Sequence, residues 1–249
     1  MTLFRISLLC LTHYSLSAKC DVMTPYEFKS ARLDRGLNQT QAAAKLGVSQ
    51  AHLNCLEHGK RRLTPELVRR AVSAYGLSPD ALPTSEAFTP ELVDDQRLTE
   101  MLARLEYPGF AYLSTKTHKK NPLEFLLTAL SQERLDARVA AALPWVALKF
   151  AKPDSWLVEN ARKCNLQNKL GFVVTLAKQV AESRNDPRLS ELSQLEQALD
   201  ESRLVKEGFL PRPPRTETEK EWLRSNRTEE AAHWNLLTRM RPEHLQYVS

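Results

Sequence analysis

Glycine is scarce, with seven in 249 residues, which leaves little room for a loop that cradles phosphates. Cysteine is scarcer. Cys10, Cys20, Cys55 and Cys164 lie far apart, no pair has metal-ligand spacing, and nothing suggests a disulfide framework. A reduced, cytoplasmic setting fits that usage. The six histidines are scattered and form no HExxH pattern, so no metal site and no cofactor is expected. No apolar run reaches the length of a membrane span, and no membrane partner is expected. Sustained period-two alternation is also missing, so strands are not expected and the fold class is read as all-α.

What is present suits a protein with a sizeable core. Hydrophobic residues make up 42% of the chain and charged residues 26%, enough for one large domain or two ordinary ones. The net charge of +5 is unevenly placed. Met23 to Pro83 holds nine Lys/Arg against five Asp/Glu, a net of +4, whereas the chain from Thr84 onward holds 24 of each sign. A basic front segment suits a phosphate backbone, because neutralised phosphates release counterions. An ordinary solvated surface is the plainer account of +4 alone.

The densest pattern is Leu37 to Arg62, LNQTQAAAKLGVSQAHLNCLEHGKRR. Asn38 is a good cap before Gln39, and Ala43 and Leu46 then share a face. Gly47 allows a turn at positive φ. Ser49 caps a second helix, in which Leu53 and Leu56 recur at helical spacing after Val48. Gly59 falls where that helix ends. Two short helices joined in this way form a helix-turn-helix. Gln39, Ala43, Leu46 to Gln50, Leu53, Glu57, Gly59 and Lys60 resemble the signature of the XRE family, the Cro and lambda-repressor-like helix-turn-helix domains.

The resemblance implies a compact five-helix domain whose second motif helix enters the major groove of double-stranded DNA. Ser49, Gln50 and Ala51 stand at its start, with His52, Asn54 and Cys55 further along. Gln50 is the first choice as a reader, since an amide can both donate to and accept from adenine. In the family, Gln39 is placed to grip a phosphate. Lys60, Arg61 and Arg62 follow the helix and could meet the flanking backbone, or be a solvated turn. Family members often carry a basic residue at the position of Cys55 and a hydroxyl at that of His52, so the operator sequence stays open. An inert thiol is expected at Cys55. One such module reads too little DNA, so a homodimer on a palindromic operator is expected.

Around this motif the chain divides. Residues 1–22 read as a disordered tail or an extension before a true start at Met23, although Arg5 and the following Ile6 to Leu11 faintly resemble a signal peptide. Residues 23–83 form the DNA-binding domain. Thr24 and Glu27 make a possible capping box, and Phe28, Ala31 and Leu33 supply contacts. Thr64-Pro65 opens a helix with Leu67, Val68, Ala71, Val72 and Tyr75 buried. Residues 84–90 read as a linker and 91–249 as a larger helical domain for dimerisation or partner binding. Helices are expected over 91–106, from Pro122 to Leu130, from Ser131 with an interruption at Pro144, over 154–163, 166–181, 190–205 and 216–224, and from Thr228 to Met240. Ser114 to Asn121 is a polar, basic loop, and Pro211 to Pro214 an extended spacer.

Three functions remain open for the rear part. Leu157 to Ala161 with Asn165 to Phe172 weakly resembles the Leu-Gly-aromatic helix of AbiEi-type antitoxins. That implies a repressor of its own operon that antagonises a cognate nucleotidyltransferase toxin of the AbiEii type. Alternatively the domain senses a small molecule, with Trp145, Phe150 and Trp156 lining a pocket, or only dimerises. No enzyme is expected and no catalytic residue is assigned. Asp94-Asp95, Asp154 with Glu159, and Glu229-Glu230 lie at helix starts or on polar faces, where acidic residues are favoured anyway.

Overall fold

The computed structural model describes residues 23–113 and 120–244, so the expectations for residues 1–22 and for most of the basic loop lie outside the described residues. The front domain is built from helices with strong local start signals. Helix α1 (Pro25–Asp34) opens on a capping box. Thr24 Oγ1 accepts from the Glu27 amide at 3.2 Å, and the Glu27 carboxylate accepts from the Thr24 amide at 2.7 Å. Helix α2 (Gln39–Leu46) repeats the device with Asn38 and Gln41. Gly47 ends it at φ +67°, a conformation only glycine adopts cheaply. Helix α3 (Gln50–Glu57) starts on Ser49 and α4 (Pro65–Tyr75) on Thr64. A 3₁₀ turn at Pro79–Ala81 closes the set.

These helices meet on Phe28, Ala42, Leu46, Leu53, Leu56, Leu67, Ala71 and Tyr75. Val68 and Val72, on the other flank of α4, form a smaller cluster with Leu82. All five residues expected to be buried on α4 are buried. Leu33 is not, at 55% exposed, because the inward face of α1 is taken by Phe28, Ala31 and Arg32.

Residues after Leu82 are held by the rear part. Asn121 Nδ2 donates to the Leu82 carbonyl at 2.6 Å, Trp156 Nε1 donates to the Ser85 carbonyl at 2.7 Å, and Asn160 Oδ1 accepts from the Phe88 amide at 3.4 Å. The helices that follow are α5 (Asp95–Arg104), α6 (Pro122–Ser131), α7 (Ala137–Phe150), α8 (Ser155–Lys163), α9 (Gln167–Arg184), α10 (Leu189–Asp200), α11 (Glu217–Asn226) and α12 (Glu229–His233). Twelve of the 18 residues of α9 are buried and they lie all round it, so it is the core helix against which its neighbours pack. Asp94 and Asp154 cap α5 and α8, and Glu229 and Glu230 occupy the first turn of α12, so these carboxylates serve helix starts, while Glu159 lies exposed further along α8.

Several boundaries differ from the sequence expectations. Ser131 closes α6, and Asp136 is the cap of α7. Helix α7 runs through Pro144 with no fresh start; the buried surroundings hold it there despite the lost backbone donor. Helix α5 begins only at Asp95, leaving Leu92 exposed, and α10 ends at Asp200. The closing helix stops at His233. Strand β2 (Leu236–Leu237) then pairs in parallel with β1 (Gly208–Phe209), a two-residue ladder in an otherwise helical protein.

The reason for that early stop is Trp234. Its side chain is fully buried against Gly171 of α9, and its Nε1 donates to Thr175 Oγ1 at 2.8 Å. A Cβ on Gly171 would lie 2.3 Å from the indole. Asn168, one turn earlier, makes two 2.8 Å bonds with the backbone of Leu204. The start of α9 therefore clamps both incoming segments. Gly171→Ala should force the indole off its seat and cost about 1–3 kcal/mol by overpacking, read as a lowered denaturant midpoint. An unchanged midpoint would show that Trp234 does not depend on the glycine.

Candidate nucleic-acid interface

Helix α3 divides its residues by angle. At about 100° per residue, Leu53, Leu56 and Glu57 share one side and are buried. The opposite side presents Ala51, Asn54 and Cys55, with Gln50 at one margin and His52 at the other. Gln50, Ala51 and Asn54 are exposed, whereas His52 and Cys55 are half-buried. Ser49, exposed at the N-terminus, spends its hydroxyl as acceptor for the His52 amide at 3.2 Å. Cys55 is a free thiol.

One residue that sequence reasoning passed over belongs to this face. His58 is exposed, and its Nδ1 donates to the Asn54 carbonyl at 2.8 Å. Its position one turn beyond Asn54 was a readable signal. The chain then turns at Gly59 with φ +68°, held by the amides of Lys60 and Arg61 donating to the Cys55 carbonyl at 2.8 and 3.3 Å. Lys60, Arg61 and Arg62 follow, all exposed and without a carboxylate partner among the described residues.

Behind the exposed face of α3 sits a buried ion pair. Arg32 Nε donates to Glu57 Oε1 at 2.5 Å and Arg32 Nη2 to Oε2 at 3.1 Å, with both side chains nearly inaccessible. Arg32 Nη1 also donates to the Leu37 carbonyl at 2.6 Å. Gln39 Nε2 donates to Glu57 Oε2 at 2.9 Å and to Asn54 Oδ1 at 3.4 Å. The Gln39 amide hydrogens are thus turned toward acceptors of the domain itself, and the side chain links the buried carboxylate to an exposed residue of α3. Gln50 Oε1 accepts from Thr40 Oγ1 at 3.3 Å, which leaves its Nε2 outward. Glu57 was legible only as part of the family signature. Its place four residues after Leu53 put it on the buried stripe, and that was the available clue. Nothing local marked Arg32 as its partner.

The electrostatics follow from this packing. Burial by itself would raise the Glu57 carboxyl. Hydrogen bonds from Arg32 and Gln39, with the charges of Arg32 and Lys29, outweigh burial and hold it below its ordinary value. Burial and the nearby Glu57 charge push the Tyr75 phenol up to about 12.

The rear residues considered as a ligand pocket do not converge. Trp145 packs edge-on against Phe150 at 6.0 Å and Tyr107 at 5.2 Å, whereas Trp156 meets Phe88 at 6.2 Å. They are separate packing contacts, because Trp156 is turned to the segment that follows the front domain.

Comparison with known proteins agrees with the front geometry. Residues 28–82 match the model of a helix-turn-helix family. No curated protein and no solved structure matches the chain. The front domain is a DNA-binding helix-turn-helix of the XRE type. The chain is accordingly a DNA-binding transcription regulator, with a helical region behind its DNA-binding domain. Among the described residues no helix is long and apolar enough to cross a membrane.

Arg32→Ala should cost about 3–5 kcal/mol, since it strands a buried carboxylate. The wild-type pair also has a signed pH dependence. With the folded carboxyl below its unfolded value, its contribution is complete above the unfolded value and is lost as pH falls through the folded one. Denaturant unfolding of the wild type and of Glu57→Gln across the acidic range checks this. The variant should be less stable near neutrality and should lose less on acidification; parallel curves would contradict the assignment.

Proposed function

We propose that the protein is a cytoplasmic repressor that reads its operator through α3, lying in the major groove. The observation that carries this reading is the exposed face of α3 ending in three cations, Lys60 to Arg62, that have no carboxylate partner among the described residues. Gln50 and Asn54 can donate to and accept from base edges, and Ala51 can meet a thymine methyl. His52 and Cys55 flank the contact. Gln39 acts from behind by orienting Asn54, and the free backbone amides at the start of α2 take the phosphate that its side chain was expected to grip. Lys60, Arg61 and Arg62 neutralise phosphates, and Ser49 fixes the helix start. The protein binds as a homodimer to two half-sites about one helical turn apart. It needs no metal or cofactor and carries no enzymatic activity.

The resemblance to AbiEi-type antitoxins supports a narrower proposal, autorepression coupled to a cognate nucleotidyltransferase toxin. Leu157, Ala161, Leu170 and Phe172, which carry it, are fully buried, so a toxin would meet other residues. Co-purification with a nucleotidyltransferase encoded beside the gene would favour this role over simple repression, and a toxin that stays active with the protein bound would remove it.

The DNA reading is tested by footprinting the full chain on fragments selected from a random pool, at several salt concentrations. Gln50→Ala and Asn54→Ala should each relax preference at particular bases by about 1–3 kcal/mol. Lys60→Ala or Arg61→Ala should weaken binding at all sequences alike and reduce the salt slope by about one per residue. An unchanged footprint in Gln50→Ala and Asn54→Ala would reject α3 as the reader. A single protected half-site bound by a monomer would reject the dimer.

A further inference from the structure

The rear domain encloses a cavity of about 470 Å³ where the C-terminal segment folds back over the start of α7. That volume falls within the range of small-molecule sites. The site lies apart from the DNA-reading face and does not depend on it. Its inner wall is apolar, from Ala140 and Ala141 of α7, Leu210, Leu223 of α11, Leu237 and Met240. Two buried residues with hydroxyl groups, Tyr107 and Thr238, also line it. Thr238 is 4% exposed, and its hydroxyl accepts from the Met240 amide at 3.1 Å, leaving its proton to donate.

The mouth carries four arginines, Arg138, Arg212, Arg239 and Arg241, and one carboxylate, Glu219. Two of these charges are already answered. Asp136 pairs with Arg138 at 3.2 Å, and Glu219 pairs with Arg212 at 3.1 Å. Arg239 is spread over the Trp222 ring at 4.6 Å and stands near enough to Glu219 to help lower that carboxyl, but among the described residues it makes no ion pair, and Arg241 has no partner there. The cavity therefore joins an apolar interior to a mouth where, among the described residues, four arginines face two carboxylates, Glu219 and Asp136, an excess of two positive charges. An amphiphile with one anionic head satisfies both, burying its body inside and placing its head on guanidinium groups that donate in a fork.

We propose that this cavity is a binding site for a small amphipathic anion of the medium-chain carboxylate class. The apolar chain occupies the wall from Ala140 to Leu237, and the carboxylate lies between Arg239 and Arg241.

Calorimetric titration of the full chain, without DNA, tests this with sodium decanoate below its micelle concentration and with decanol as the uncharged control. Decanoate should bind saturably at one site and about tenfold or more tighter than decanol. The double variant Arg239→Ala with Arg241→Ala alters only exposed side chains and should bring decanoate down to the level of decanol. Ala141→Phe narrows the cavity without touching charge and should weaken both ligands, its fold being checked by its helical circular dichroism and melting. No saturable binding of decanoate, equal affinity for the two probes, or full affinity in a folded Ala141→Phe protein would each overturn the proposal.

Discussion

Two opposite charges buried between α1 and α3 tie together the helices of the DNA-binding domain. Arg32 reaches Glu57 with two hydrogen bonds and the Leu37 carbonyl with a third. Glu57 then takes Gln39 from α2. One carboxylate is thus shared by α1 and the two helices of the motif. A buried pair of this kind contributes little net stability against a well-packed apolar replacement, because taking both charges out of water costs about as much as their attraction returns. What it supplies is direction. Apolar contacts among Leu46, Leu53 and Leu56 tolerate small sliding and rotation, whereas a two-toothed hydrogen bond fixes the roll of α3. Through Gln39 the same carboxylate is tied to Asn54, on the exposed side of α3.

The rear part uses the same economy on a larger scale. Helix α9 is buried all round, so its neighbours are arranged by what its few special positions accept. Gly171 admits the Trp234 indole, Asn168 holds the Leu204 backbone, and Lys169 donates to the Leu130 carbonyl at the end of α6 at 3.0 Å. The C-terminal segment is thereby folded back across α7 and forms one wall of the cavity beside it. The front and rear apolar clusters are distinct, and Asn121 links their neighbourhoods by bonding the Leu82 carbonyl while capping α6.

Much of the front domain was legible because its signals are local. Thr24, Asn38, Ser49 and Thr64 cap helices with their own side chains, and Gly47 turns where only glycine does so cheaply, so each feature can be read within a few residues. The burial of α4 was legible for the same reason, from helical spacing alone. The Arg32–Glu57 pair was not, because it joins residues 25 apart and places charge where pattern reading expects apolar side chains. His58 was missed because it stands at the helix end, beside the Gly59 that was read as the terminator. In the rear part, the core status of α9 could be read from its continuous apolar sequence. The short ladder of β1 and β2 could not, since two residues carry no period and their pairing depends on Trp234 being seated on a distant glycine. Ser131 was misplaced because serine suits a cap, while Asp136 sat unmarked before a run of alanines.

The most direct measurement replaces the buried pair with apolar side chains of similar volume, Arg32→Met with Glu57→Leu in the full chain. It compares affinity for a selected operator with affinity for random DNA at fixed salt. If the pair serves mainly to aim α3, the variant should keep its helical content and nonspecific affinity, and its preference for the operator should fall by about tenfold or more, about 1.4 kcal/mol. A folded variant with undiminished preference would contradict the account.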